Sequence, residues 1–130
     1  MEDRQVTHRI LVAEDEADIR ELLRLALTAA GYEVETAPDG GAAWELALAR
    51  PPELVVTDLR MPAMDGLELI LALRSEPSLS RIPVILFTAY VSSDPRVSEA
   101  GQIWGVEVVT KGSIAELRRA VARLLRGEGA

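Results

Sequence analysis

The sequence predicts an α/β protein built on a doubly wound, five-stranded parallel sheet with helices on both faces. Three observations carry that prediction. Short apolar runs alternate with longer stretches of helical periodicity, and the alternation occurs five times. The short runs are apolar on consecutive residues rather than on every second one, as strands covered on both faces require. The breaks between them are rich in Gly, Pro, Asp and Ser, the residues of turns and caps. Right-handed crossovers then wind the helices onto both faces.

The first run, Ile10-Leu11-Val12-Ala13, is too short for a helix and ends on the acids Glu14, Asp15 and Glu16. A helix follows, because Ile19, Leu22, Leu23, Ala26, Leu27 and Ala30 recur at helical spacing, with Arg20, Glu21 and Arg24 on the other face. Gly31 stops it in the left-handed conformation. Tyr32 to Ala37 alternates weakly and contains Val34 and Thr36, which predicts a second strand. Pro38-Asp39-Gly40 is turn chemistry, with Asp39 placed to cap a helix carrying Trp44, Leu46, Ala47 and Leu48. Pro51-Pro52 ends that helix.

The third strand, Leu54-Val55-Val56-Thr57, runs into the lone carboxylate Asp58 before the chain breaks at Met61-Pro62. Asp65-Gly66 opens a helix whose Leu67, Leu69, Ile70, Leu71 and Leu73 predict burial on more than one side, and Ser75-Glu76-Pro77-Ser78 closes it. Pro83 to Phe87 is the fourth strand, with proline at its first residue where no ladder donor is missed; it ends on Thr88-Ala89-Tyr90. Asp94-Pro95 caps and opens a fourth helix, made irregular by the poor helix formers Val97, Ser98 and Gly101. Val106 to Val109 is the fifth strand and ends on Thr110-Lys111. Ser113 caps the last helix, and Glu116 three residues on predicts a capping box. Its stripe is Ile114, Leu117, Val121, Leu124 and Leu125, while Arg118, Arg119, Arg123 and Arg126 suit its C-terminal end.

A chain of 130 residues is one domain by length, expected over residues 9–126 between tails at 1–8 and 127–130. A formal charge of −7 without any basic stripe excludes a nucleic-acid surface. No apolar run approaches a membrane span, and Met1-Glu2-Asp3-Arg4 lacks the layout of a signal peptide, so a cytoplasmic protein with no membrane partner is expected. With no cysteine there is no thiol chemistry.

In a parallel sheet all strand C-termini lie along one edge, where open sheets place their sites. Four strands end there on polar groups: Glu14-Asp15, Asp58, Thr88 and Lys111. The second strand ends on Ala37-Pro38 and supplies none, which fits a peripheral position. Three clustered carboxylates raise one another's pKa, and a hard divalent cation such as Mg²⁺ resolves that repulsion. Lys111 offers a compact positive charge and Thr88 a hydroxyl. Together these groups make a phosphoryl-transfer site with Asp58 as acceptor. Singly, each has an ordinary explanation: a solvated helix start, a strand-end cap, a β-branched strand residue, a surface lysine. Their coincidence on one sheet edge does not. His8 reads as a surface residue, Trp44 as a core or groove filler, and Met61 and Met64 as loop packing. Trp104 stands between packing and a partner anchor.

The segments Ile10 to Glu16, Val55 to Gly66, Pro83 to Ala89 and Thr110-Lys111, in this order and at these separations, resemble the receiver domain of two-component response regulators. The resemblance covers nearly the whole chain, and it implies a flavodoxin-like fold with strand order 2-1-3-4-5. It also implies that a histidine kinase or histidine phosphotransfer protein phosphorylates Asp58. Asp15, Asp58 and the backbone carbonyl of Arg60 would bind Mg²⁺ (or Mn²⁺) directly, with Glu14 reaching it through water. Thr88 would hydrogen-bond the phosphoryl group and Lys111 would pair with it. Arg60 and Tyr90 sit where the family tunes the lifetime of the phosphoryl group. A downstream protein would read the face of the fourth helix, fifth strand and fifth helix, by a monomer or a phosphorylation-dependent dimer. The implied role is a stand-alone signalling phosphoacceptor rather than a turnover enzyme.

Three departures fall on that reading face. Gly112 follows Lys111 where the family has a proline after a cis bond; a non-proline cis bond costs about 3 kcal/mol, so a trans bond is expected. Val108 occupies the place of the family's switch aromatic. The fourth helix, Asp94 to Trp104, is irregular, with Ile103 and Trp104 expected to be exposed. These departures motivate an alternative, a pseudo-receiver serving as a constitutive interaction module. An aspartate-nucleophile phosphohydrolase needs a second Asp two residues after the nucleophile, and position 60 is Arg.

Overall fold

The computed structural model describes residues 7–89 and 94–127. The chain alternates β1 (Arg9–Ala13), α1 (Ala17–Ala29), β2 (Glu33–Ala37), α2 (Gly40–Ala49), β3 (Leu54–Thr57), α3 (Gly66–Ser75), β4 (Val84–Thr88), α4 (Pro95–Ile103), β5 (Glu107–Thr110) and α5 (Ile114–Leu125). The strands form one parallel sheet in the order β2-β1-β3-β4-β5, as the resemblance implied. Its register places Val12 beside Val56, Val56 beside Ile85 and Ile85 beside Glu107.

The period of two in each strand sorts side chains onto two faces. Leu11, Ala13, Val55, Val84 and Leu86 point to one side, where α2, α3 and α4 cover them with Ala43, Ala47, Leu69, Ile70, Leu73 and Val97. Ile10, Val12, Leu54, Val56, Ile85 and Phe87 point to the other, under Leu23 and Leu27 of α1 and Leu117, Ala120 and Val121 of α5. The central strands β3 and β4 are buried throughout, whereas the edge strands β2 and β5 are only partly covered. Their exposed flanks explain Glu33, Glu35 and Glu107 in strand positions.

Local chemistry sets the helix ends. Gly31 takes φ +101° beyond α1, with the Gly31 amide on the Thr28 carbonyl at 3.0 Å and the Tyr32 amide on the Leu27 carbonyl at 3.2 Å. Asp39 caps α2 through the Ala42 amide, and Asp94 with Pro95 starts a regular α4. That helix is better formed than its composition predicts, because its cap and first residue are fixed and Val97 and Ala100 are buried. The reciprocal capping box falls on Asp65 and Glu68 of α3. At Ser113 the side chain accepts the Glu116 amide, the forward half of the box expected there.

The prediction for α3 is corrected. Leu69, Ile70 and Leu73 are buried, but Leu71 is 49% exposed, so the helix buries one side only. Trp44, Met61 and Met64 are half-buried against the α2–α3 face, as fillers. His8 is partly exposed, with Nδ1 3.1 Å from Glu53. Tyr90 lies outside the described residues, and so does the side chain of Ile103.

Gly40 and Gly41 begin the same helix in different surroundings. A Cβ on Gly40 would run into the Met64 backbone carbonyl, whereas one on Gly41 would meet only the Asp39 carboxylate at 3.4 Å. Gly40→Ala is expected to lower the unfolding free energy by about 1–3 kcal/mol through overpacking. Gly41→Ala is expected to raise it by about 0.5–1 kcal/mol through the unfolded chain and helix propensity. Urea melts of the two variants check this pair of opposite signs.

Candidate functional site

Glu14, Asp58, Thr88 and Lys111 stand at the same level of the sheet, with Asp15 and Arg60 in the loops just beyond it. Glu14 is the first residue after β1, and its amide donates to Ala37 of β2 at 3.0 Å. Asp58 is the first after β3, with its amide on Ala13 of β1 at 3.0 Å. Lys111 is the first after β5, with its amide on Thr88 of β4 at 2.9 Å. Thr88 is the last residue of β4 itself. The side chains therefore leave from backbone that is still laddered to a neighbouring strand, and their origins are fixed by the sheet.

The Lys111 ammonium reaches across β4 to the acids. Its Nζ lies 2.9 Å from Asp58 Oδ2 and 3.0 Å from Glu14 Oε1, with Glu16 further out at 3.7 Å. Asp58 Oδ1 accepts the Leu59 amide at 2.7 Å, and Glu14 Oε2 accepts the Glu16 amide at 3.1 Å. Glu14 is 1% exposed and Asp58 6%, while Asp15 is exposed at the mouth. Burial pushes the Glu14 carboxyl above its usual range, and the nearby Asp58 charge adds to that shift against the hydrogen bonds from Lys111 and the Glu16 amide. Burial alone would depress Lys111. Its hydrogen bonds to Asp58 and Glu14 overcome that, and the ammonium is held above the ordinary lysine value.

Oxygens of Glu14, Asp15 and Asp58 lie within 4.8 Å of one another, a hard-donor set suited to a divalent cation. In this arrangement one ammonium faces two buried carboxylates, and the third acid opens to solvent. The pocket thus binds positive charge with acceptor capacity to spare, and the residues fit a metal.

Several supporting residues carried no sequence signal of their own. Arg20, predicted on the solvent face of α1, instead turns back and donates to the Glu14 carbonyl at 2.9 Å, fixing the acidic loop. Thr57 donates its hydroxyl to the Asp58 carbonyl at 2.8 Å. A Cβ on Gly66 would run into that same carbonyl, and the Gly66 amide donates to Leu59 at 2.7 Å. By sequence the Asp-Gly pair at 65–66 is a helix start alone. It is also the close approach that seats the Asp58 loop. Ala63 holds φ +66° in that loop, a left-handed conformation that costs an alanine about 1–2 kcal/mol. Arg60 is mostly exposed and lies 4.0 Å from Asp94, the cap of α4. The bond between Lys111 and Gly112 is trans, since no cis peptide occurs among the described residues. Val108 is half-buried against the α2–α4 side of the sheet.

Fold and site together define a doubly wound α/β domain whose strand ends build an acidic pocket around one aspartate. The response regulator receiver domain family matches residues 10–122, and the chain belongs to that family. It is 37% identical over 124 residues to the transcriptional regulatory protein PrrA of Mycobacterium leprae, covering 94% of this chain and 52% of PrrA. It is 34% identical over 117 residues to the sensor histidine kinase TmoS of Ectopseudomonas mendocina, covering 90% of this chain and 12% of TmoS. The chain therefore spans about half the length of PrrA and a small part of TmoS. Among solved structures, response regulator protein TrrA of Thermotoga maritima, in complex with Mg²⁺-BeF, superposes with a TM-score of 0.77 at 34% identity. That match covers 91% of this chain and 99% of TrrA. The family is a signalling one, the receiver domain of two-component systems.

Removing the ammonium should expose the strain it relieves. Lys111→Met leaves Glu14 and Asp58 facing each other while buried, and is expected to destabilise the metal-free protein by about 3 kcal/mol. Millimolar Mg²⁺ is expected to recover much of that loss and to bind the variant more tightly than the wild type. Urea unfolding in EDTA and in Mg²⁺ checks both; equal stability of the two proteins in EDTA contradicts them.

Proposed function

We propose that this chain is a phosphoacceptor: Asp58 takes a phosphoryl group from a phosphohistidine of a histidine kinase or phosphotransfer protein. The observation that carries the reading is the buried Asp58 carboxylate with one oxygen held by the Leu59 amide and the other 2.9 Å from the Lys111 ammonium. A carboxylate oxygen attacks phosphorus, the P–O bond forms as the P–N bond breaks, and the departing nitrogen keeps its electron pair. The Leu59 amide orients the carboxylate. Lys111 moves its charge from the carboxylates onto the incoming phosphoryl oxygens, where negative charge then accumulates. Thr88, buried at the end of β4, donates its hydroxyl to the same group. Mg²⁺, or Mn²⁺ in its place, would be held by Glu14, Asp15, Asp58 and the Arg60 carbonyl and supplies charge neutralisation at the phosphoryl oxygens.

The approach of a donor is supported by an apolar shelf beside the site, where Ile19, Leu22, Phe87 and Ile114 line a pocket that reaches Lys111. Arg60, exposed at the rim, limits water in line with the phosphorus and so lengthens the life of the acyl phosphate. The domain occupies residues 9–126 and acts in the cytoplasm on a downstream protein. Among the described residues no helix is long and apolar enough to cross a membrane.

Intact-mass spectrometry after acetyl phosphate and Mg²⁺ tests the reading. One phosphoryl mass increment is expected, absent in Asp58→Asn, and its decay should quicken severalfold in Arg60→Ala. No increment, or one that survives Asp58→Asn, refutes phosphoacceptance and favours a constitutive interaction module.

A further inference from the structure

Helices α3 and α4 run side by side, tied at both ends and open between. At their N-terminal ends Arg96 of α4 lies 3.5 Å from Asp65, the cap of α3. At their C-terminal ends Arg74 of α3 donates Nε to the carbonyl of Trp104, the cap of α4, at 3.0 Å. The same guanidinium also donates to the Ile82 carbonyl at 2.7 Å, so the tie is anchored on the loop before β4. Along their length α3 packs on α2 but not closely on α4. The result is a groove bridged at each end and open between.

The floor of that groove is apolar and its rim is acidic. Leu67 and Leu71 from α3 and Ala100 and Trp104 from α4 each stand one helical turn apart on the facing sides, flanked by Glu68 and Glu99. Leu71 is 49% exposed and Trp104 36%, although α3 buries Leu69, Ile70 and Leu73 and α4 buries Val97 and Ala100. Arg96 adds little positive charge to the rim, since Asp94 and Asp65 already pair with it. The Glu99 carboxylate has no hydrogen-bonding or ion-pair partner among the described residues.

The face across α4, β5 and α5 differs in kind. There Arg123 pairs with Glu107 at 2.9 Å, Arg119 is exposed, and no exposed large hydrophobic of β5 or α5 occurs among the described residues. Trp104, grouped with that face in the sequence, instead turns to the α3 side.

We propose that the α3–α4 groove is a docking site for a basic amphipathic helix of a partner protein. Two of its apolar side chains, one turn apart, seat against Leu71 and Trp104, and its Lys or Arg residues lie over Glu68 and Glu99. The end ties spare the groove the ordering cost that a mobile surface would meet on binding. A second copy of this chain, offering its α5 arginines, would dock head to tail and leave both surfaces open to further copies, so the basic helix belongs to another protein. The inference rests on the signalling role only in making this partner the downstream target. Arg96 also shares Asp94 with Arg60, two residues after Asp58.

The test uses the full chain and a fluorescein-labelled synthetic peptide with Leu at helical spacing and Lys on its flanks, read by anisotropy. Saturable binding is expected, weakened about tenfold or more by Leu71→Ser and by Glu99→Lys, and unchanged by Leu48→Ser on α2. The same peptide with Glu in place of Lys should not bind. No saturable binding, equal affinity for all these variants, or self-association of the chain in place of peptide binding overturns the groove. The acetyl phosphate mass increment is read on the same samples. Groove binding lost with the increment intact overturns this inference alone, whereas binding without an increment keeps the groove and overturns phosphoacceptance.

Discussion

One ammonium shared by two buried carboxylates is the interaction on which the rest of this structure depends. Glu14 and Asp58 are almost wholly removed from water, and two such charges face to face are costly without a cation between them. Lys111 supplies that cation from a strand two places away from β3. The charge balance of the pocket is thereby linked to the geometry of the whole sheet. On the proposed function, a divalent cation would take over part of that neutralisation, and a phosphoryl group on Asp58 would give the freed ammonium a new anionic partner.

The sheet makes this sharing possible by an economy of construction. Glu14, Asp58 and Lys111 are each the first residue beyond a strand, with the amide still bonded to the next strand, and Asp15 follows one residue on. Rotation about the side-chain bonds is the freedom that remains. The loops then refine the aim. Arg20 holds the loop after β1 by its carbonyls, Thr57 and Gly66 seat the carbonyl of Asp58, and Ala63 accepts a left-handed backbone so that the chain can return to α3. From Arg60 a chain of ion pairs runs through Asp94 and Arg96 to the caps of both α3 and α4. The site and the helices beside it share these charges.

Much of this was legible in the residues, and for identifiable reasons. Continuous apolar runs fix buried strands, and strand ends in a parallel sheet fall on one edge, so Glu14, Asp15, Asp58, Thr88 and Lys111 could be gathered before any coordinates. Strand order needed the family resemblance, because periodicity does not say which strands neighbour one another. What stayed hidden were contacts between side chain and backbone across distant segments. Nothing in the helical pattern around Arg20 distinguishes a guanidinium that returns to a carbonyl from one facing water. Nothing in Asp65-Gly66 distinguishes a helix start from a required close approach to Asp58. Composition also misjudged two helices. It overstated the burial of α3, where Leu71 faces the groove, and understated the order of α4, whose cap and proline outweigh its weak propensities.

The measurement that tests the central claim most directly is a crystal structure of the chain grown with Mg²⁺ and beryllofluoride. The account predicts fluoride density bonded through beryllium to an Asp58 carboxylate oxygen, with Lys111 Nζ moved off Glu14 and onto a fluorine. A beryllofluoride-free Asp58, or a Lys111 still shared between Glu14 and Asp58 beside the bound group, would contradict it.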